Sequence, residues 1–344
     1  QLLTFLAKRG KRISPLLITT HDYPDPDALA SAYGLKHLAE QIFGIRSRIV
    51  YQGVIGRMEN RTMAKILKLP VYKVKPDDLT KYKHTALVDT QPAFENNWFP
   101  KNRKATIIVD QHVSEVKPAG DCVIIDPDCG ATAIIIAQAL LLKEVEIPSR
   151  LATALAYGII SDTMNLYRAN KPEVIDVYLK VIPFCDLKAL AQIQNPVRSR
   201  RFFATLGKGI ENAMARSGLI TAHLGNVENP DLVSQVADFL LTYRSMKKSF
   251  CTGRYNGRLY VSLRMDKSSI NAGKALRDIF ENRGEAGGHD DIAGGSFEVG
   301  ETAEADEWLA AEEMMVKRLL KRFRIRTTKE PYYPFRQAAT ISKT

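Results

Sequence analysis

Three apolar runs in the first half of the chain each close on an aspartate: TALVD at 85–89, ATIIVD at 105–110 and CVIID at 122–126. Two further runs, SPLLITT at 14–20 and SRIVYQ at 47–52, precede them. Short apolar runs without alternation are the mark of strands buried on both faces. Helical patterns lie between or after them, near 27–43, 59–68 and 130–143. Strands alternating with helices predict an α/β fold, a parallel sheet with helices on both faces. Ligands bind outside the carboxyl ends of strands in such sheets, so Asp89 and Asp110 are expected on one functional edge.

At 344 residues and about 150 residues per domain, two domains are expected. The first reads as 1–195 and a helical linker as 196–215. A smaller α/β domain reads as 216–326, and 327–344 as a loosely ordered tail. In the second domain LITAHL (219–224) predicts a strand, and 248–265 a hairpin turning at Asn256-Gly257. Lysine and arginine exceed aspartate and glutamate by 49 to 38, a net charge of +11 that suits an anionic partner. The four cysteines form no CxxC pair, which argues against a zinc ribbon or a disulfide scaffold and for a reducing, cytoplasmic setting. The most apolar run, AIIIAQALLL at 133–142, is too short to span a bilayer, so no membrane partner is expected. That helix could instead serve as core or as a homodimer interface. No signal peptide is read in residues 1–20, which carry Lys8, Arg9, Lys11 and Arg12. The chain opens on Gln1 rather than methionine, which leaves room for a fused or associated N-terminal domain.

The densest chemistry is His21-Asp22-Tyr23-Pro24-Asp25-Pro26-Asp27-Ala28, where a predicted strand hands over to a helix. His21, Asp25 and Asp27 can converge on a hard or borderline divalent cation. A plainer reading makes Asp27 a helix N-cap and Asp25 a turn former. Repetition favours the metal: Asp89 and Asp110 end strands, His112 follows, and Asp162 in GIISDT has the same character. So many acids on one edge repel one another without cations, and a two-metal site resolves that. Downstream, Gly287-Gly288-His289 and Gly294-Gly295 flank two aspartates, a pattern that lets backbone amides approach a phosphate. Arg198, Arg200 and Arg201 with Phe202 and Phe203 fit either a nucleotide contact or the two faces of one helix.

Taken in order, H-x3-D-x-D-A, a strand-end Asp, D-x-H, S-D-T and GGH…AGG resemble the DHH phosphoesterase family with its C-terminal DHH-associated domain, over about 15–300. The arrangement is most similar to the nanoRNase/pAp-phosphatase type. The resemblance implies a parallel-sheet DHH domain, a smaller substrate-binding domain, and an active-site cleft between them. It implies two divalent cations, Mn²⁺ ahead of Mg²⁺. The ligands would be His21, Asp25, Asp27, Asp89 as bridge, and Asp162. His112 would act on the phosphoryl group with Asp110 beside it, and Arg264, Gly287, Gly288 and His289 would bind substrate. The implied activity is hydrolysis of short oligonucleotides, dinucleotides or 3′-phosphoadenosine 5′-phosphate. The third motif departs from the family: it reads Asp110-Gln111-His112, with glutamine where a metal-binding histidine is expected. A glutamine oxygen is an uncharged, hard ligand, so one site should be weakened. Three outcomes stay open: Gln111 ligates, one cation binds weakly, or the chain is a nucleotide-binding sensor. A pyrophosphatase or exopolyphosphatase is the other enzyme reading, and the GGH segment speaks against it.

Overall fold

The computed structural model describes residues 1–266, 270–281, 283–288, 291–325 and 330–336. The chain divides into two compact units, Gln1–Val197 and Arg198–Thr344. No helix among the described residues is long and apolar enough to cross a membrane.

The first unit begins with α1 (Leu2–Arg9) and β1 (Leu16–Thr19), followed by α2 (Pro26–Phe43), β2 (Ser47–Tyr51), α3 (Met58–Ile66) and β3 (Val71–Lys73). After α4 (Asp78–Lys81) come β4 (His84–Val88), β5 (Ala105–Asp110) and β6 (Gly120–Ile125). Four helices complete it: α5 (Thr132–Leu142), α6 (Ser149–Asp162), α7 (Pro172–Val181) and α8 (Leu187–Gln194). The six strands form one sheet in the order β3-β2-β1-β4-β5-β6, and every pairing is parallel.

The apolar runs explain the layers. Leu16, Ile18, Ala86, Val88, Ile107 and Val109 pack into a large core with Leu29 and Leu35 of α2, Ile136 and Leu140 of α5, and Leu155 of α6. Their neighbours along the strands, Leu87 and Ile108, pack on the other face with Phe99 and Leu79. Both faces are covered, so strand residues need not alternate. Gly34 lets α2 and α5 meet, because a Cβ there would stand 2.5 Å from Cγ2 of Ile136. The short edge strand β3 was not foreseen; its three residues are half-buried or exposed and carry no apolar pattern.

The second unit contains α9 (Arg200–Glu211), β7 (Met214–Arg216), β8 (Leu219–Asn226), α10 (Asp231–Leu241), β9 (Lys248–Tyr255) and β10 (Arg258–Met265). It ends with α11 (Ala272–Phe280), β11 (Glu285–Gly288), β12 (Ile292–Glu298) and α12 (Ala305–Arg322). Its sheet runs β11-β12-β10-β9-β8-β7. Only β8 and β9 pair in parallel; the rest are antiparallel. The expected hairpin turns at Asn256 and Gly257, both with positive φ (45° and 69°), as a tight two-residue turn requires.

Two expectations are revised here. The segment read as a linker contributes α9, which belongs to the second unit: Phe202 is buried and a Cβ at Gly209 would meet Val236 at 2.6 Å. The segment read as a loose tail is held over residues 330–336. Ala215 and Tyr332 exchange backbone hydrogen bonds of 2.8 and 3.0 Å, and the Phe335 ring lies 4.9 Å from that of Tyr243.

Candidate active site

The strand order reverses between β1 and β4, which lead away from each other toward opposite edges of the sheet. At such a switch point the connections leaving the strands diverge and open a crevice at the carboxyl ends. His21 follows β1, Asp89 follows β4, and Asp110 ends β5. Three sequence-distant motifs thus reach one place because three adjacent strands share one direction.

The first loop is stiffened at the entry to α2. Asp25 is the N-cap of that helix and accepts 2.9 Å from the Ala28 amide, with Pro26 in the first turn. The plainer reading had assigned the cap to Asp27. Asp27 is instead fully buried and reaches across to α5, accepting from the amides of Thr132 and Ala133 at 2.7 Å each. Ser31 also donates to it at 3.2 Å. A carboxylate against the first amides of a helix satisfies donors that have no partner within the helix.

His21 places Nδ1 2.8 Å from the Asp22 carbonyl oxygen, which fixes the ring. Its Nε2 then faces Asp25 and Asp89 at 3.8 and 3.6 Å. Asp89 is 3% exposed and adopts φ 57°, a left-handed conformation uncommon for a residue with a side chain. Its Oδ1 accepts from the Thr132 hydroxyl at 2.8 Å. Asp110 is fully buried. Its Oδ1 accepts from the Gln111 amide and from His112 Nδ1, both at 2.8 Å, and its Oδ2 accepts from Gln91 at 2.8 Å. His112, with a half-exposed side chain, is therefore held by one nitrogen and presents the other.

Gln111 lies between two acids. Its Nε2 donates to Asp162 at 2.7 Å and approaches Asp27 at 3.4 Å. Asp162 is the last residue of α6.

The electrostatics show a shortage of positive charge. Burial, then the charges of Asp89, Asp162 and Asp25, hold the Asp27 carboxyl well above the usual carboxylate range. Burial, then Asp25 and Asp89, push Asp162 up to about 8. Burial disfavours a charged His21, but its bonds to Asp25 and Asp89 raise it well above the ordinary histidine value. The bond to Asp110, against burial, raises His112 to about 9. Burial opposes ionisation of Asp25, yet the His21 bond keeps it below the usual range. Carboxyls that stay protonated beside ionised ones are what a divalent cation would relieve.

The donor atoms fit such an ion. His21, Asp25 and Asp89 offer ligand atoms within 4.8 Å of one another, and so do Asp89, Asp110 and His112. Nitrogen and carboxylate donors of this kind suit Mn²⁺ and Mg²⁺. In the second group Asp110 and His112 are already bonded to each other through Oδ1 and Nδ1 at 2.8 Å, so the acid orients the imidazole.

The model of the DHH family N-terminal domain matches residues 15–159, and that of the DHHA1 domain matches residues 217–316. The chain belongs to the DHH family. An uncharacterized Methanocaldococcus jannaschii protein is 33% identical over 288 residues, covering 83% of this chain and 59% of the relative. The bifunctional oligoribonuclease and PAP phosphatase of Thermus thermophilus is 25% identical over 217 residues, 61% of this chain and 63% of that protein. The chain thus spans about three fifths of the length of these curated relatives. Among solved structures, an exopolyphosphatase-related protein from Bacteroides fragilis shares the fold with a TM-score of 0.68 at 14% identity, covering 93% of this chain and 97% of that one.

Within the DHHA1 region, Arg264 is 6% exposed. Its Nε donates to Asp238 at 2.5 Å and its Nη1 to the carbonyls of Leu263 and Ala293 at 3.1 and 3.2 Å. These bonds tie Arg264 to α10 and to the sheet. The glycines separate by role. Gly288, at φ 151°, lies so close to α11 that a Cβ on Gly273 would meet its carbonyl oxygen at 2.4 Å. A Cβ on Gly287 meets nothing within 4 Å, so packing gives no reason for that glycine. His289 lies outside the described residues. Arg198 and Arg201 are engaged by Gln235 and Glu228, and only Phe203 of the two phenylalanines is strongly exposed.

Sequence reasoning missed two residues of the DHH site. Gln91 donates both to Asp110 and, at 2.6 Å, to the His112 carbonyl. Its position two after Asp89 was the available signal. Thr132 bonds Asp89 through its hydroxyl and Asp27 through its amide. No spacing rule points to a threonine that far along the chain.

Proposed function

We propose that this chain is a divalent-metal phosphoesterase that hydrolyses short oligonucleotides, dinucleotides or 3′-phosphoadenosine 5′-phosphate. The observation that carries the reading is the convergence of His21 Nε2, Asp25 and Asp89 at the switch point, with His112 oriented beside them by Asp110. His21, Asp25 and Asp89 would hold one cation. Asp27, Asp89 and Asp162, with the Gln111 carbonyl oxygen turned inward, would hold a second. A bound divalent cation supplies the charge that activates water and offsets a phosphoryl group.

The chain's own groups do the rest. His112 keeps its Nδ1 on Asp110, so its other nitrogen is free to donate a proton to a phosphoryl or leaving oxygen. In the metal-free site the bond to Asp110 raises its pKa to about 9, which favours holding the proton to be donated. Thr132 and Gln91 fix Asp89 and Asp110 and thereby the spacing of the site. The bridge from Gln111 to Asp162 favours a second reading, a nucleotide-binding protein with an impaired second cation position.

Turnover of the dinucleotide pApA, 3′-phosphoadenosine 5′-phosphate and pyrophosphate with Mn²⁺ or Mg²⁺ separates these readings, with Asp89→Ala as control. Hydrolysis of pApA that vanishes in the variant supports the phosphoesterase. Faster pyrophosphate hydrolysis supports the pyrophosphatase. Nucleotide binding without turnover of any of the three overturns the enzyme and leaves the sensor.

A further inference from the structure

Tyr23 stands between two residues of the cation site, two after His21 and two before Asp25. Its backbone adopts φ 58°, a conformation that bulky residues avoid. The loop is held there from two sides. The Asp22 amide donates to the Asn96 carbonyl at 2.6 Å, and the Tyr23 amide donates to the Gln52 carbonyl at 3.0 Å. Yet the side chain is 65% exposed. An unfavourable backbone conformation is thus kept for an aromatic ring that buries little surface, a combination that stability does not explain.

The ring has one covered face. A Cβ placed on Gly53 would stand 2.8–2.9 Å from Cδ1, Cε1 and Cγ of Tyr23. Three consecutive ring atoms at nearly one distance mean that Gly53 lies over the face of the ring rather than its edge. Gly53 also has φ 78°, so it is glycine for two reasons. It follows β2, the neighbour of β1, and so sits at the same carboxyl edge as His21. The backbone at Gly53 supports one face of Tyr23 and leaves the other to solvent. His112 belongs to the opposite flank, after β5, with Phe94 edge-on at 6.3 Å.

We infer that Tyr23 is a stacking platform for a nucleobase of the substrate, on the β2 side of the cation site. This rests on the phosphoesterase reading and narrows it. The substrate carries an aromatic base next to the reacting phosphate, and inorganic pyrophosphate or polyphosphate leaves the platform unused. Base–aromatic stacking tolerates any base, so the preference is for bases as a class.

The test compares Tyr23→Gly and Tyr23→Phe with the parent chain on pApA and on the same dinucleotide with abasic spacers in place of both bases. Glycine suits the positive φ, so Tyr23→Gly should melt no lower than the parent. It should raise KM for pApA by about 10-fold, within the range that loss of one stacking contact gives. KM for the abasic compound should be that of the parent, and Tyr23→Phe should keep the low KM for pApA. An unchanged KM for pApA in Tyr23→Gly, or an equal rise for the abasic compound, overturns the inference. If the parent turns over neither compound, the phosphoesterase reading has failed, and binding of a dinucleotide carrying 2-aminopurine decides the platform. Weaker binding in Tyr23→Gly than in the parent upholds stacking; equal binding, or none to the parent, overturns it.

Discussion

Asp162→Asn should make the metal-free protein less sensitive to alkaline pH. The Asp162 carboxyl rises from 3.8 to about 8 in the folded chain. Between those values the folded state holds a proton that the unfolded state has released. Stability then falls as pH rises, because the folded state binds more protons than the unfolded one. From pH 6 to pH 8, with the proton half released at the upper end, the loss is about 2 kcal/mol, at 1.36 kcal/mol per pH unit for a fully bound proton. For a domain of this size that is about 4–8 °C in Tm. His112, raised from 6.5 to about 9, adds a loss of the same sign through its own window, but that loss is present in both proteins. Asparagine retains an oxygen to accept from Gln111 and cannot ionise. The assay is thermal unfolding in EDTA at pH 6 and pH 8, for parent and variant, followed by the same scans with Mn²⁺. The parent should lose about 4–8 °C more than the variant. Mn²⁺ should restore the parent increasingly at pH 8, because its ligands must be deprotonated. A difference between parent and variant that stays constant from pH 6 to pH 8 would falsify the idea that the acids at this edge lack positive charge.

Four other changes probe separate parts of the structure. Gln111→His should tighten the position bounded by Asp27, Asp89 and Asp162 by about 10-fold or more in a Mn²⁺ titration followed by electron paramagnetic resonance; superimposable isotherms would show that Gln111 does not limit binding. Met164→Gly should stabilise by about 1 kcal/mol, since Met164, Asn165 and Leu166 follow one another at φ 50°, 55° and 69°; a lower denaturation midpoint would mean that the run is not strained. Gly34→Ala should cost about 1–3 kcal/mol, because the new methyl enters the space of Ile136; an unchanged urea midpoint would show that α2 and α5 part freely. Arg264→Met should destabilise the second unit by about 2–3 kcal/mol by removing the bonds of Arg264 to Asp238 and to two carbonyls. Full stability with a raised KM would instead give Arg264 a substrate role alone.

Much of the fold was legible because burial on both faces writes itself into a strand as an unbroken apolar run. Leu16–Thr19 and Ala105–Asp110 are buried at every position. Strands held mainly by their neighbours were not legible: Val71–Lys73 has no apolar pattern and exists because Tyr51 and its predecessors offer it a parallel partner. The boundary near residue 197 was blurred for a similar reason. α9 reads as one more helix in a helical stretch, and only its packing on Val236 assigns it to the second unit.

At the candidate site, residue order alone supplies the inventory: a histidine and aspartates at strand ends, the glutamine in the third motif, and the parallel sheet that must gather them. Carboxyl ends of parallel strands share an edge whatever the loops do. Long-range packing was needed to settle the tasks of Asp27 and Asp89, while those of Asp25 and Asp110 rest on local contacts. Asp25 caps α2, Asp27 caps α5, and Asp110 is spent on orienting His112. The donors to Asp25 and Asp110 are near neighbours in sequence, Ala28 and His112, whereas Asp27 meets the amides of Thr132 and Ala133, 105 and 106 residues further along. Spacing along the chain records which side chains exist. Which distant donor meets Asp27 or Asp89 is set only when helices and strands far apart in sequence pack together.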